Sequence, residues 1–122
     1  MAITYDVDAS KGVVFEYWSG EISARDIAEH LTRLLSDPQA LACARSLVDV
    51  SEAEPRLTDV ELRHLVDTIA IPRLKDKGWT SAILVQKPVQ FGMARQFQIF
   101  AEVYSKDAIF TDEKAARAWL GL

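Results

Sequence analysis

Side-chain chemistry needs convergence: a nucleophile beside a base, or three or four ligands around a metal. This chain holds two histidines and one cysteine among eighteen carboxylates. His30 falls with Asp26 and Arg33 on the expected polar face of a first helix, and His64 falls beside the apolar stripe of a second. Neither has a Cys, His or carboxylate at metal-ligand spacing, so both are read as solvated or core-edge residues and no metal site is expected. No Ser or Cys stands in a strained elbow motif. The glycines at 12, 20, 78, 92 and 121 match neither a phosphate-cradling loop nor a dinucleotide fingerprint. The expectation is therefore no catalytic residue and no cofactor, with the candidate residues serving binding.

In open α/β sheets, ligands and partners meet the crevice beyond the carboxyl ends of the parallel strands. Three segments are expected there: Ser51 to Thr58, Lys87 to Gly92, and Thr111. Ser51 and Thr58 fall at or before a helix start, where free amides and the helix dipole favour an added phosphate, which makes both candidate phosphorylation sites. The plainer reading is that Ser51 ends a strand and Thr58 caps its helix. Phe91 lies between Lys87 and Arg95 at helical spacing, an aromatic beside two cations that suits an anionic, partly apolar ligand, or else a local staple over the helix start. On the same helix, Met93, Phe97, Phe100 and Tyr104 form the inward arc, while Ile99 and Val103 lie outside it. That spare apolar flank is expected to be covered by a neighbouring helix, a dimer contact or a ligand. Trp18 either closes a sheet edge or binds.

These residues need a scaffold, and the periodicity supplies one. Ile3, Tyr5 and Val7 alternate, Ala9 to Gly12 break the pattern, and Val13 to Trp18 resume it, which predicts a hairpin. Alternation puts Val13, Phe15 and Tyr17 on one face and Val14, Glu16 and Trp18 on the other, and the face with Glu16 is expected to be the wetter. Ser23 with Asp26 reads as a capping box for a helix through Leu35, ending by Asp37 because of Pro38. Leu47 to Val50 reads as a strand in the middle of a sheet. Thr58 with Glu61 opens a second helix striped by Leu62, Leu65, Val66 and Ile69, which Pro72 should kink or end.

Gly78 suits a left-handed helix close, and Ala82 to Val85 reads as the central strand. Pro88 starts the third, most apolar helix. Ala108 to Phe110 makes a brief strand, after which Thr111 caps a last helix with Ala115, Ala116, Trp119 and Leu120 on its apolar face. The fold class expected is α/β: a mixed, mostly parallel five-stranded sheet with an N-terminal hairpin and about four helices, forming one domain over residues 1–122.

Composition narrows the partners. Fourteen basic against eighteen acidic side chains, a net charge of −4, set phosphate backbones against net repulsion, so nucleic acid is not an expected partner. No apolar run approaches the roughly 20 residues of a membrane span. A single cysteine, Cys43, and a start, MAITYD, without a secretory pattern point to a reducing, cytoplasmic location.

Four segments in order, Gly12 to Ile22 (GVVFEYWSGEI), Leu47 to Ser51 (LVDVS), Phe91 to Arg95 (FGMAR) and Phe110 to Leu120 (FTDEKAARAWL), resemble the SpoIIAA-like, STAS/SEC14-type domains of bacteria. The resemblance runs over nearly the whole chain. It implies a sheet flanked by helices, related to anti-sigma-factor antagonists and to lipid-carrying SEC14 domains. In the antagonists a serine of an Asp-Ser-Ser-Gly motif at the start of the second helix is phosphorylated. Here that start reads Thr58-Asp59-Val60-Glu61, without the paired serines or the glycine.

The function expected is a non-enzymatic binding or regulatory module acting through a protein partner or by self-association into a homodimer. Its contact surface would be the third helix with the loops after strands three and four. The alternative is a small carrier of an apolar or anionic ligand held between that helix and the strand-four loop by Lys87, Phe91 and Arg95.

Overall fold

The computed structural model describes residues 2–122. Strands β1 (Ile3–Asp8) and β2 (Val13–Ser23) form the expected hairpin, pairing antiparallel from Ile3 opposite Trp18 to Asp8 opposite Val13. Gly12 closes the turn at φ +67°, where a Cβ would be strained, and its N–H donates to the Asp8 carbonyl at 2.8 Å. Helix α1 (Ala24–Leu35) starts at the predicted capping box: the Asp26 N–H donates to Ser23 Oγ at 3.2 Å, and the Ser23 N–H donates to Asp26 Oδ2 at 2.9 Å. A short α2 (Pro38–Cys43) follows, capped by Asp37. Six residues are too few to show a period, so Pro38 reads in sequence as a stop although it also opens a new helix.

Strand β3 (Arg45–Arg56) is three times the length of its apolar stretch. Ser51 therefore sits inside a strand and does not end one. Helix α3 (Asp59–Leu65) begins at the Thr58–Glu61 capping box and runs into a π-helical turn, Val66–Ala70, before α4 (Ile71–Leu74). Pro72 lacks an N–H and its ring crowds the carbonyl four residues back. The helix passes it by widening: the Ile71 N–H donates five residues back, to the Val66 carbonyl. Gly78, at φ +68°, leads into β4 (Trp79–Leu84). Helix α5 (Pro88–Ala101) starts at Pro88, and β5 (Ser105–Phe110) and α6 (Glu113–Trp119) complete the chain. The cap of α6 is Asp112, whose carboxylate accepts from the Lys114 and Ala115 N–H groups; Thr111 precedes it.

The sheet is ordered β1-β2-β3-β4-β5, with every pair after the hairpin parallel. Its middle strand is β3, so Ala82 to Leu84 lie in an interior strand, one place off centre. With strands laid down in spatial order and parallel crossovers sharing one hand, the connecting helices collect on a single face. Helices α1, α3 and α5 cover the face that carries Glu16, Ser46, Val48, Val50 and Ile83, while α6 alone packs on the other, over Val13, Leu47 and Ala82. The expected wetness is thereby reversed. Glu16 is 5% exposed and Tyr17, on the face left to one short helix, is 47% exposed.

Candidate functional site

Of the candidate contact residues, Phe91, Arg95 and Ile99 lie on α5, Lys87 is its N-cap and Val103 lies in the turn after it, outside the helix on which the sequence places it. Lys87, Phe91, Arg95, Ile99 and Val103 follow one another at four-residue steps, and Phe91, Ile99 and Val103 are 51%, 47% and 67% exposed. No neighbouring helix covers this flank among the described residues. The inward face belongs to Gln90, Ala94 and Ala101, all fully buried, with Met93, Phe97 and Phe100 only part-buried beside them. The cation–π contacts fall elsewhere than expected: Arg63 lies over Phe100 and Arg117 over Phe15, each with its guanidinium carbon 5.2 Å from the ring centre. Arg95 turns to Gln98, donating to its Oε1 at 2.8 Å.

Gln90 joins this helix to the rim of the sheet. Its Oε1 accepts from the backbone N–H of Gln86 at 2.8 Å and of Lys87 at 2.9 Å, closing the first turn of α5. Its Nε2 donates to the carbonyls of Ser51 at 3.0 Å and Ala53 at 2.9 Å, on the edge of β3 beyond the reach of β4, whose pairing with β3 stops at Asp49 opposite Leu84. All four hydrogen-bonding positions of the amide are used. The two candidate phosphorylation sites are likewise engaged: Ser51 Oγ donates to Asp49 Oδ1 at 2.5 Å, and Thr58 Oγ1 accepts from the Glu61 N–H at 3.1 Å.

The second concentration of polar side chains is buried beneath the helices. His30 is expected on the polar side of α1, yet it is almost fully buried, because the inward stripe runs Ile27, His30, Leu34 at helical spacing. Its Nε2 lies 2.6 Å from Glu16 Oε1, which also accepts from the Trp18 indole N–H at 3.1 Å. The rings of Tyr5 and Trp18 meet His30 edge-on, with centroids 6.0 and 5.8 Å away. His30 Nδ1 has no hydrogen-bond partner.

A buried polar row runs across the parallel strands, with Ser46 opposite Ser81 and Ser81 opposite Asp107. The Ser46 and Ser81 hydroxyls are 2.8 Å apart, and the Trp79 indole N–H donates to both, at 3.3 and 3.2 Å. Asp107 Oδ1 accepts from Ser105 Oγ at 2.8 Å while its Oδ2 has no partner. Burial pushes the Asp107 carboxyl up to about 6, against the pull of the Ser105 and Ser81 hydroxyls nearby.

A cavity of about 80 Å³ lies between the sheet and helices α1, α3 and α5. Its wall is aliphatic and aromatic, from Leu31, Val48, Leu65 and Phe97 among others, with Glu16, His30, Ser46, Ser81 and Tyr104 as the polar points. Lys87, Phe91 and Arg95 do not line it: the hollow lies on the inward side of α5, whereas the carrier site expected from sequence lies on the outward side. Periodicity assigns polar residues to the surface, so Glu16, His30 and Gln90 escape it. The usable signals are Glu16 within the alternation Val14-Glu16-Trp18, His30 seven-residue-stripe fashion between Ile27 and Leu34, and Gln90 at the third position of a helix opened by proline.

Among the described residues no cluster of metal-ligating side chains is present and no helix is long and apolar enough to cross a membrane. No family model matches the chain, and no curated protein matches it in sequence. Solved structures share its architecture, among them these two. An uncharacterised DUF3478-family protein from Shewanella loihica, described as having a SpoIIAA-like fold, superposes with a TM-score of 0.67 at 22% identity, over 98% of this chain and 93% of its own. The anti-sigma factor antagonist SpoIIAA in its unphosphorylated form superposes with a TM-score of 0.61 at 15% identity, over 98% of each chain. With its five strands in this order, its hairpin start and these matches over nearly its full length, the chain has the SpoIIAA-like fold that its sequence resembles.

Proposed function

We propose that this protein is a non-enzymatic regulatory module that works by contact with a protein partner, a second copy of itself included, through the outer stripe of α5. The observation that carries this reading is the exposure of three large apolar side chains, Phe91 and Ile99 on α5 and Val103 just past its end, each about half or more exposed while the other side of the helix is built into the core. Exposed large apolar side chains gathered on one element are what interfaces cover. Lys87 and Arg95 stand among them, so the surface offers charged as well as apolar contacts. The shared fold supports the mode of action, since an anti-sigma factor antagonist acts on another protein. Gln90 supports the placement, because it fixes the start of α5 against β3 and gives the stripe a rigid base.

The double variant Ile99→Lys/Val103→Lys tests this. Both side chains are exposed, so the fold should keep its circular dichroism and melting temperature. The mass in solution, measured by light scattering across concentration, and the recovery of protein partners from host lysate should fall together or singly. Unchanged mass with unchanged recovery overturns α5 as the contact surface.

A further inference from the structure

Protein interiors pack at the density of organic crystals, with few voids wider than a water molecule. One water needs about 10–15 Å³ of such space, and the hollow under α1, α3 and α5 offers about 80 Å³. Its wall carries a buried hydrogen-bonding atom without a partner. The Trp18 indole can only donate, which makes Glu16 Oε1 an acceptor and has His30 Nε2 donate to it at 2.6 Å. The other ring nitrogen, Nδ1, is left over for hydrogen bonding, and none of the described residues satisfies it. Leu65 and Val66, where α3 widens into its π-helical turn, also line the hollow, and such turns recur at functional sites.

No lysine or arginine contributes to the wall. A carboxylate or phosphate entering it would be buried near Glu16 without a fixed counter-charge, at a heavy desolvation penalty. We infer that the cavity is a binding site for a small uncharged molecule with an apolar body and one hydrogen-bonding head group, an alcohol, phenol or amide, which pairs with His30 Nδ1. This site lies on the opposite side of α5 from the contact stripe and stands or falls independently of it.

The test is a titration of the 15N-labelled protein with 1-octanol and, separately, with octanoate at pH 7. It follows the indole N–H signals of Trp18 and Trp79, which both line the cavity, and the ring nitrogens of His30. Octanol should shift all three saturably, and octanoate should bind at least tenfold more weakly. Ala94, fully buried in the wall, gives the blocking variant: Ala94→Leu fills the space and should weaken octanol at least tenfold. Absence of a saturable octanol shift, which would leave the cavity to water alone, overturns the assignment. So does octanoate binding as well as octanol, or a folded Ala94→Leu protein that binds octanol unchanged. Should Ala94→Leu fail to fold, the comparison of octanol with octanoate in the unaltered protein decides.

Discussion

Replacing Gln90 by leucine probes the joint between α5 and the rim of the sheet. Leucine is close in volume to glutamine and leaves little void, so the loss falls on the four backbone groups that the amide satisfies. Two of them, the N–H groups of Gln86 and Lys87, belong to exposed residues and can turn to water. The other two are the carbonyls of half-buried Ser51 and buried Ala53, at a strand edge that no neighbouring strand reaches. Stranding a buried polar group costs about 1–3 kcal/mol, so Gln90→Leu should lose about 2–5 kcal/mol. At roughly 3–6 °C per kcal/mol for a chain of this size, that lowers the melting temperature by roughly 6–30 °C. Urea unfolding at pH 7 with an unchanged slope measures it. Gln90→Glu keeps both bonds to the N–H groups but points a carboxylate oxygen at two carbonyls, and should lose at least as much. A Gln90→Leu loss below about 1 kcal/mol, or a glutamate variant more stable than the leucine one, refutes the account.

Two further substitutions read the buried row and a strained backbone. Asp107 titrates at about 6 in the folded chain against an ordinary 3.8, mainly through burial. A folded pKa raised in this way contributes stability at low pH that is lost as pH climbs from about 4 through 6. Asp107→Asn should therefore gain on the unaltered protein by up to about 3 kcal/mol between pH 4 and pH 7.5 in paired urea titrations, and a difference that does not move with pH refutes it. Ala44 ends α2 at φ 56°, in the left-handed region that a Cβ resists. Ala44→Gly should raise stability by about 0.5–1 kcal/mol in a thermal melt, and a lowered melting temperature refutes the claim of strain.

What could be read in the sequence is what is decided within a few residues. The Ser23–Asp26 and Thr58–Glu61 capping boxes, the glycine turns at 12 and 78 and the proline start at 88 are local, and each is where the structure has it. The exposure of Phe91 and Ile99 follows from helical spacing in the same way, while Val103 falls past the last residue of α5 and outside that argument. The buried polar groups were not legible, because their partners are distant in sequence: Glu16 with His30 across 14 residues, Gln90 with Ala53 across 37, Ser46 with Ser81 across 35. The extra length of β3 was hidden similarly. Its second half is held by pairing with β2 and by Gln90, while its own residues, Glu52, Glu54 and Arg56, read as loop.

Placing those polar groups under the helices does not serve stability. Well-packed aliphatic residues at Glu16, His30, Ser46, Ser81 and Asp107 would avoid the desolvation that buried polar and charged groups carry, and commonly leave a protein more stable. Two atoms of this set, His30 Nδ1 and Asp107 Oδ2, are buried without any partner. The other face of the sheet shows what this chain builds where only packing matters: Val13, Leu47 and Ala82 under Ala116 and Leu120, with no buried polar side chain among them. Departures from such consistency concentrate at functional sites. Here Glu16, His30, Ser46 and Ser81 line the cavity itself, between α1, α3 and α5, and that coincidence is the ground on which the proposed interior site rests.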